Sequence, residues 1–185
     1  MTRARISPSA APFPAKIAEH IGRIVPEGLP PFQLLTTIAR DPRLFEQFVS
    51  RGFLGKGNLT LRQRELVINR TTAISGSEYE WGLHMYFFAA RLGFGQEEAY
   101  SLVHGGADDP CWGEEDQAII RLCDQLHATC CLEDSLWKEL TRLFSDEAIL
   151  EILMVAGSYR SVSYLTNALR LPPELCAPRF PAKRA

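Results

Sequence analysis

Apolar residues recur along this chain at intervals of three and four, and no stretch alternates cleanly with period two, so the pattern predicts helices and no strands. Helices are predicted over 31–40 (PFQLLTTIAR) and 43–54 (RLFEQFVSRGFL), divided by Asp41-Pro42. Thr60-Leu61-Arg62-Gln63 has the form of a capping box opening a helix to about Ile74. Ser77-Glu78-Tyr79-Glu80 repeats that form ahead of a helix ending at Leu92, with Gly93 as its stop. Acidic pairs mark further starts at Glu97-Glu98, Glu114-Glu115, Glu133-Asp134 and Asp146-Glu147, because negative charge in a first turn complements the helix dipole. Helices follow over 96–104, 114–130, 133–144 and 146–170. The expectation is one all-α domain over 15–175, a bundle of roughly eight helices. A poorly ordered segment rich in Pro, Ser and Ala precedes it at 1–14, and a loose tail follows at 176–185.

Composition narrows the partners more than the chemistry. Across 185 residues, 46% are hydrophobic and 23% charged, an ordinary balance for a soluble globular chain. A net charge of -2 gives no reason to expect nucleic acid or an anionic membrane surface. No apolar run approaches a bilayer span and the basic start lacks an apolar core, so a cytoplasmic location is expected. Five cysteines occur without a CxxC, which gives neither a zinc knuckle nor a dithiol redox motif. Cys130 and Cys131 read as packing thiols near a helix end in a reducing compartment. His104 and His127 lack ligand spacing, so no metal site is predicted.

The helix over 78–92 is apolar nearly all round, which places it in the middle of a bundle or across a subunit interface. It carries Glu80 and His84 four residues apart, on one face. Glu65 falls among Leu61, Ile68 and Thr72 on the preceding helix, and the short turn at Ser75-Gly76 makes the two helices a hairpin. Two carboxylates and an imidazole in a partly apolar pocket form a proton relay. Burial and mutual charge would bring their pKa values towards neutrality. The competing reading is a capping glutamate and a core histidine. For substrate binding the candidates are Arg62, Arg91, Tyr159, Asn167 and Trp81. Arg70 and Arg160 are further cations for a substrate carboxylate, and the sequence does not choose among the arginines. Tyr159, Ser163 and Asn167 form a polar stripe that also reads as an interhelical hydrogen-bond line.

The stretch RQRELVINRTTAISGSEYEWGLHMYFFAARLGFGQEEAYSL resembles the core of the carboxymuconolactone decarboxylase family, which includes the alkyl hydroperoxidase D proteins. The flanking PRLFEQFVSRGFLGKGNLTLRQRE and LWKELTRLFSDEAILEILMVAGSYRSVSYLTNALRLPPE extend the resemblance to roughly 30–175. It implies an alkyl hydroperoxidase D-type bundle. Anchored on His84, the cysteine positions of the redox-active branch fall on Ser77 and Glu80, and its upstream glutamate falls on Glu65. Both thiols are therefore missing, and peroxide reduction by that route needs them. Glu65, Glu80 and His84 resemble the cysteine-free branch. This implies a cofactor-free lyase or isomerase acting on a small unsaturated organic acid or lactone, with His84 as acid/base, Glu65 orienting it and Glu80 tuning the pair. The resemblance also implies a homo-oligomer of two, three or six copies. The alternatives are a peroxidase or antioxidant protein and a non-catalytic binding module on the same fold.

Overall fold

The structure, a computed structural model, describes residues 4–50 and 55–184. Those residues form nine helices and no strand: α1 Ala15–Ile24, α2 Gln33–Ile38, α3 Pro42–Val49, α4 Leu61–Ile74, α5 Glu78–Leu92, α6 Gln96–His104, α7 Glu114–Thr129, α8 Asp134–Leu143 and α9 Asp146–Ala168. Each predicted helix has its counterpart, and the end of the 43–54 helix, residues 51–54, lies outside the described residues. Helix α1 is additional. Its sequence signal is Ile17 and Ile21 between Pro14 and Pro26, with no side-chain cap at its start.

The middle of the bundle is α4, so of the two places that composition predicts for α5, the middle of a bundle or a subunit interface, the first is not realised. Helix α4 packs against α5, α6, α7 and α9, and it is buried without a break from Arg64 to Ala73. Hydropathy conceals this because so much of α4 is polar. The polar groups find partners inside the protein: Asn69 Nδ2 donates to Glu65 O (2.7 Å) and Thr72 Oγ1 to Ile68 O (2.8 Å). Arg70 grips Asp124 with two bonds of 2.6 and 2.8 Å. In α5 only Tyr79 to Met85 are buried, and Tyr86 is 49% exposed.

Two apolar clusters result. Leu66, Ile68, Ile119, Leu122 and Ile152 belong to the larger one, built around α4, α7 and α9. Ile17, Ile21, Leu35 and Phe45 from α1–α3 belong to the second. Helix α5 separates them, with Trp81 and Met85 in the first cluster and Tyr79 and Leu83 in the second.

Both ends of the chain are held more firmly than their composition predicts. Arg5 N–H donates to Leu169 O (2.8 Å) and Ser9 N–H to Thr36 O (2.9 Å), although among the described residues no helix forms before Ala15. The tail crosses α5 at Gly82, where a Cβ would stand 2.5 Å from Pro178 O. Phe180 N–H then donates to Glu78 Oε1 (2.8 Å), its ring lies 5.2 Å from that of Trp81, and Arg184 pairs with Glu97 at 2.6 Å. Cys130 and Cys131 depart from their predicted packing role as well. Both are free and exposed, with Cys130 forming the left-handed cap of α7 (φ 60°).

Candidate active site

The α4–α5 hairpin sets up the site. Thr60 and Gln63 form the predicted capping box, with bonds of 3.2 and 2.9 Å. The second predicted box does not form. Ser77 N–H is already given to Thr72 O (2.8 Å) and its hydroxyl bonds Thr166 Oγ1 (2.7 Å), which leaves Glu80 without a backbone to cap. The Glu80 carboxylate turns instead towards His84.

Glu65 Oε2 lies 2.6 Å from His84 Nδ1, and Glu80 Oε1 lies 3.5 Å from His84 Nε2. Glu65 is wholly buried, and Glu80 and His84 nearly so. The three residues singled out in the sequence therefore converge on one imidazole. Arg64 joins them: its Nε sits 3.7 Å from Glu65 Oε1, and its Nη1 donates to Gly55 O (2.8 Å). With His84 protonated, two positive and two negative groups balance. Burial alone would lower the imidazole's pKa, but the charges and hydrogen bonds of Glu65 and then Glu80 outweigh it and carry the value up to about 9. His84 is thus held above neutrality rather than near it, and is an imidazolium at pH 7.

Glu80 and His84 line a cavity of about 960 Å³. Its wall on α5 continues one turn further through Leu83, Phe87 and Phe88, the positions that follow Glu80 by three, seven and eight residues. Phe32, Leu35 and Phe48 close it from the α2 and α3 side, Tyr159 and Val162 from α9, and His20 and Arg23 from α1. The Tyr159 ring stands edge-on to His84 with centroids 5.0 Å apart. Among the described residues, no group of three or more His, Cys, Asp or Glu side chains is arranged to hold a metal.

Of the substrate-binding candidates, only Tyr159 reaches the cavity wall. Arg62 donates to Leu92 O (2.7 Å) and to Asp116 Oδ2 (2.8 Å), so it serves the C-terminal end of α5. Arg91 is exposed and stands apart from the wall. Trp81 is buried in the larger core, because neighbouring helix positions point about 100° apart and Glu80 occupies the cavity side. Asn167 donates to Ser75 O (2.8 Å) and lines a separate cleft of about 450 Å³ with Arg160 and His127. Arg70 donates to Leu102 O (2.9 Å) at the end of α6, and Arg160 to Ser75 Oγ (3.2 Å) at the end of α4. Unpaired carbonyls at helix ends account for two of the four arginines named from the sequence, Arg62 and Arg70. The sequence reading missed Arg64, whose signal was its place beside Glu65, and Arg23, whose helix was not predicted.

No protein-family model matches the sequence, and no curated protein matches it. Solved structures do share its fold. An uncharacterized peroxidase-related protein from Silicibacter sp. TM1040 superposes with a TM-score of 0.79 at 19% identity, over 95% of this chain and 96% of that one. The alkylhydroperoxidase AhpD core of an uncharacterized peroxidase-related protein from Ralstonia eutropha JMP134 gives 0.77 at 17%, over 92% and 93%. The debrominase Bmp8 gives 0.76 at 15%, over 93% of each chain. At these identities the likeness establishes the architecture, an alkyl hydroperoxidase D-like helical bundle.

Proposed function

We propose that this protein is a cofactor-free lyase or isomerase of the carboxymuconolactone decarboxylase kind, moving protons on an unsaturated organic acid or lactone. The observation that carries the reading is the His84 imidazole, clamped between Glu65 and Glu80 at the wall of an apolar cavity. Loss of CO₂ from such a substrate leaves an electron pair on carbon that a nearby acid must protonate. An imidazolium at the wall of an apolar-lined cavity is suited to that step. Glu65 fixes the ring through Nδ1 and holds the positive charge, so the proton delivered leaves from Nε2. For the substrate's carboxylate, the cation in the cavity wall is Arg23, whose guanidinium also pairs with Glu19, in place of the arginines named from the sequence.

A peroxidase reading lacks its nucleophile. Among the described residues no cysteine lines the cavity, and the position of the first family thiol is Ser77, fully buried against Thr166. Cys123 is buried beside Thr71 and Val67, where burial pushes its thiol up to about 12, and Cys130 and Cys131 sit exposed at the end of α7. The test is a panel of unsaturated lactones and β-keto acids, assayed with and without peroxide and a dithiol. Turnover should need neither addition and should survive alkylation of the exposed thiols. His84→Gln should reduce it by at least about 100-fold. Turnover by His84→Gln at the wild-type rate, or consumption of peroxide that depends on the dithiol, overturns the reading.

A further inference from the structure

We infer that Glu80 and Tyr159 form the acceptor–donor pair that meets the substrate, and that the substrate is an enolisable carbonyl compound with an apolar body larger than one lactone ring. The inference rests on the proton-transfer reading above and goes further in naming the base, the group that polarises the substrate, and the substrate's build.

Protonation of the relay requires a separate base. An imidazolium carries protons on both nitrogens, so in its resting state His84 can give a proton and cannot take one. Of the two glutamates, Glu65 is fully buried behind the ring and committed to Nδ1, and it forms no part of the cavity wall. Glu80 does line the cavity. Its Oε2 has no hydrogen-bond partner among the described residues, because the capping role its sequence position predicts is not fulfilled. A buried carboxylate with spare accepting capacity, beside a cavity and 3.5 Å from an acid, is placed to take a proton from carbon.

Tyr159 supplies the complementary donor. It stands in the wall edge-on to His84. Burial, and then the negative charges of Glu80 and Glu65, hold the phenol well above its ordinary pKa, so it stays a neutral O–H. A neutral donor in an apolar cavity polarises a carbonyl oxygen, and its hydrogen bond strengthens as that oxygen gains charge.

The proton balance closes without a co-reactant. Glu80 takes a proton from the carbon next to the carbonyl. The C–H pair becomes a C=C bond and the carbonyl π pair moves to oxygen, where the Tyr159 O–H hydrogen-bonds the enolate. His84 returns a proton to carbon from Nε2, and the proton on Glu80 passes to the imidazole, restoring both groups. The cavity's volume, about 960 Å³, is at the upper end of the range for ligand pockets, about 300–1,000 Å³. Its Phe32, Phe48, Phe87 and Phe88 lining favours a bulky apolar body behind the carbonyl.

The experiment follows proton NMR of the bicyclic ketone 2-decalone in D₂O with the full chain. Binding of naphthalene, read by its fluorescence, reports that the cavity is intact. Wild-type protein should speed deuterium exchange next to the carbonyl well above buffer. Glu80→Gln should lose at least about 100-fold of that rate and Tyr159→Phe about 100-fold, with naphthalene bound within about twofold of wild type by both. Exchange at the wild-type rate in either variant overturns the inference. So does exchange at the buffer rate in wild type while lactone turnover still depends on His84; in that case the relay stands and the base, donor and substrate class assigned here do not. Loss of the His84 dependence itself counts against the underlying reading instead.

Discussion

At the scale of single residues, the costliest group in this protein is Glu65. A carboxylate wholly removed from water is tolerated only when paired, and its partners are His84 Nδ1 at 2.6 Å and Arg64 at 3.7 Å. His84→Ala should therefore destabilise the fold by about 3–5 kcal/mol, because it strands that charge, whereas His84→Gln retains an N–H donor for it. Stability should also depend on pH through the same pair. Folding raises the pKa of His84 from 6.5 to about 9, so its contribution is fully present below pH 6.5 and is lost as pH rises through 9. The charged and titratable groups facing it are Arg64 and Glu65 from α4, Glu80 from α5 and Tyr159 from α9. Thermal unfolding between pH 6 and 10 should show this decline, on the order of 3 kcal/mol, and Glu65→Gln should flatten it. An unchanged profile in Glu65→Gln would place the pH dependence elsewhere.

The cluster of Glu65, Glu80 and His84 was legible in the sequence because a helix converts a spacing of four into a shared face, and a short turn brings two helices side by side. Arg64 was not. Adjacent helix positions diverge, and only the packed neighbours of α4 decide which of Arg62, Arg64 and Arg70 turns towards Glu65. Helix ends exert the stronger pull on the other arginines: Arg62, Arg70 and Arg160 each settle at the C-terminal end of a helix.

Among the elements, α4 takes the central place for which composition made α5 the candidate. The second half of α5 gives its aromatic rings to a cavity wall instead of a core, so an apolar surface on all sides did not mean burial on all sides. Glycine matters here for space. At Gly82 the tail's backbone passes so near α5 that any side chain would push it off. Gly82→Ala should release residues 176–184, seen as faster tryptic cleavage after Arg179 and as a change in Trp81 emission once Phe180 leaves. Wild-type cleavage kinetics in that variant would mean that the tail is held without this contact. Helix α1 shows the opposite limit of sequence reading. Two isoleucines one turn apart suffice once a neighbour covers them, and α3 does so here.

For the molecule as a whole, none of the helices of the described residues is long and apolar enough to cross a membrane. The homo-oligomer expected from the family resemblance remains a proposal, and sedimentation equilibrium tests it directly. The expected result is an assembly of two, three or six chains, and a single species of one chain's mass across the concentration range would exclude it. The cavity is likewise a property of the whole, since α1, α2, α3, α5 and α9 each supply part of its wall.

The sequence by itself determined the all-helical architecture, most helix starts, and the pairing of Glu80 with His84 on one face. These follow from period, caps and spacing, all acting within a few residues. It also determined that the chain has no CxxC. Tertiary structure alone decided that α4 lies at the centre, that Ser77 abandons its cap, that Arg64 joins Glu65, and that the pKa of His84 is raised. Each of those depends on which distant groups replace water around a side chain, and no local pattern encodes that replacement.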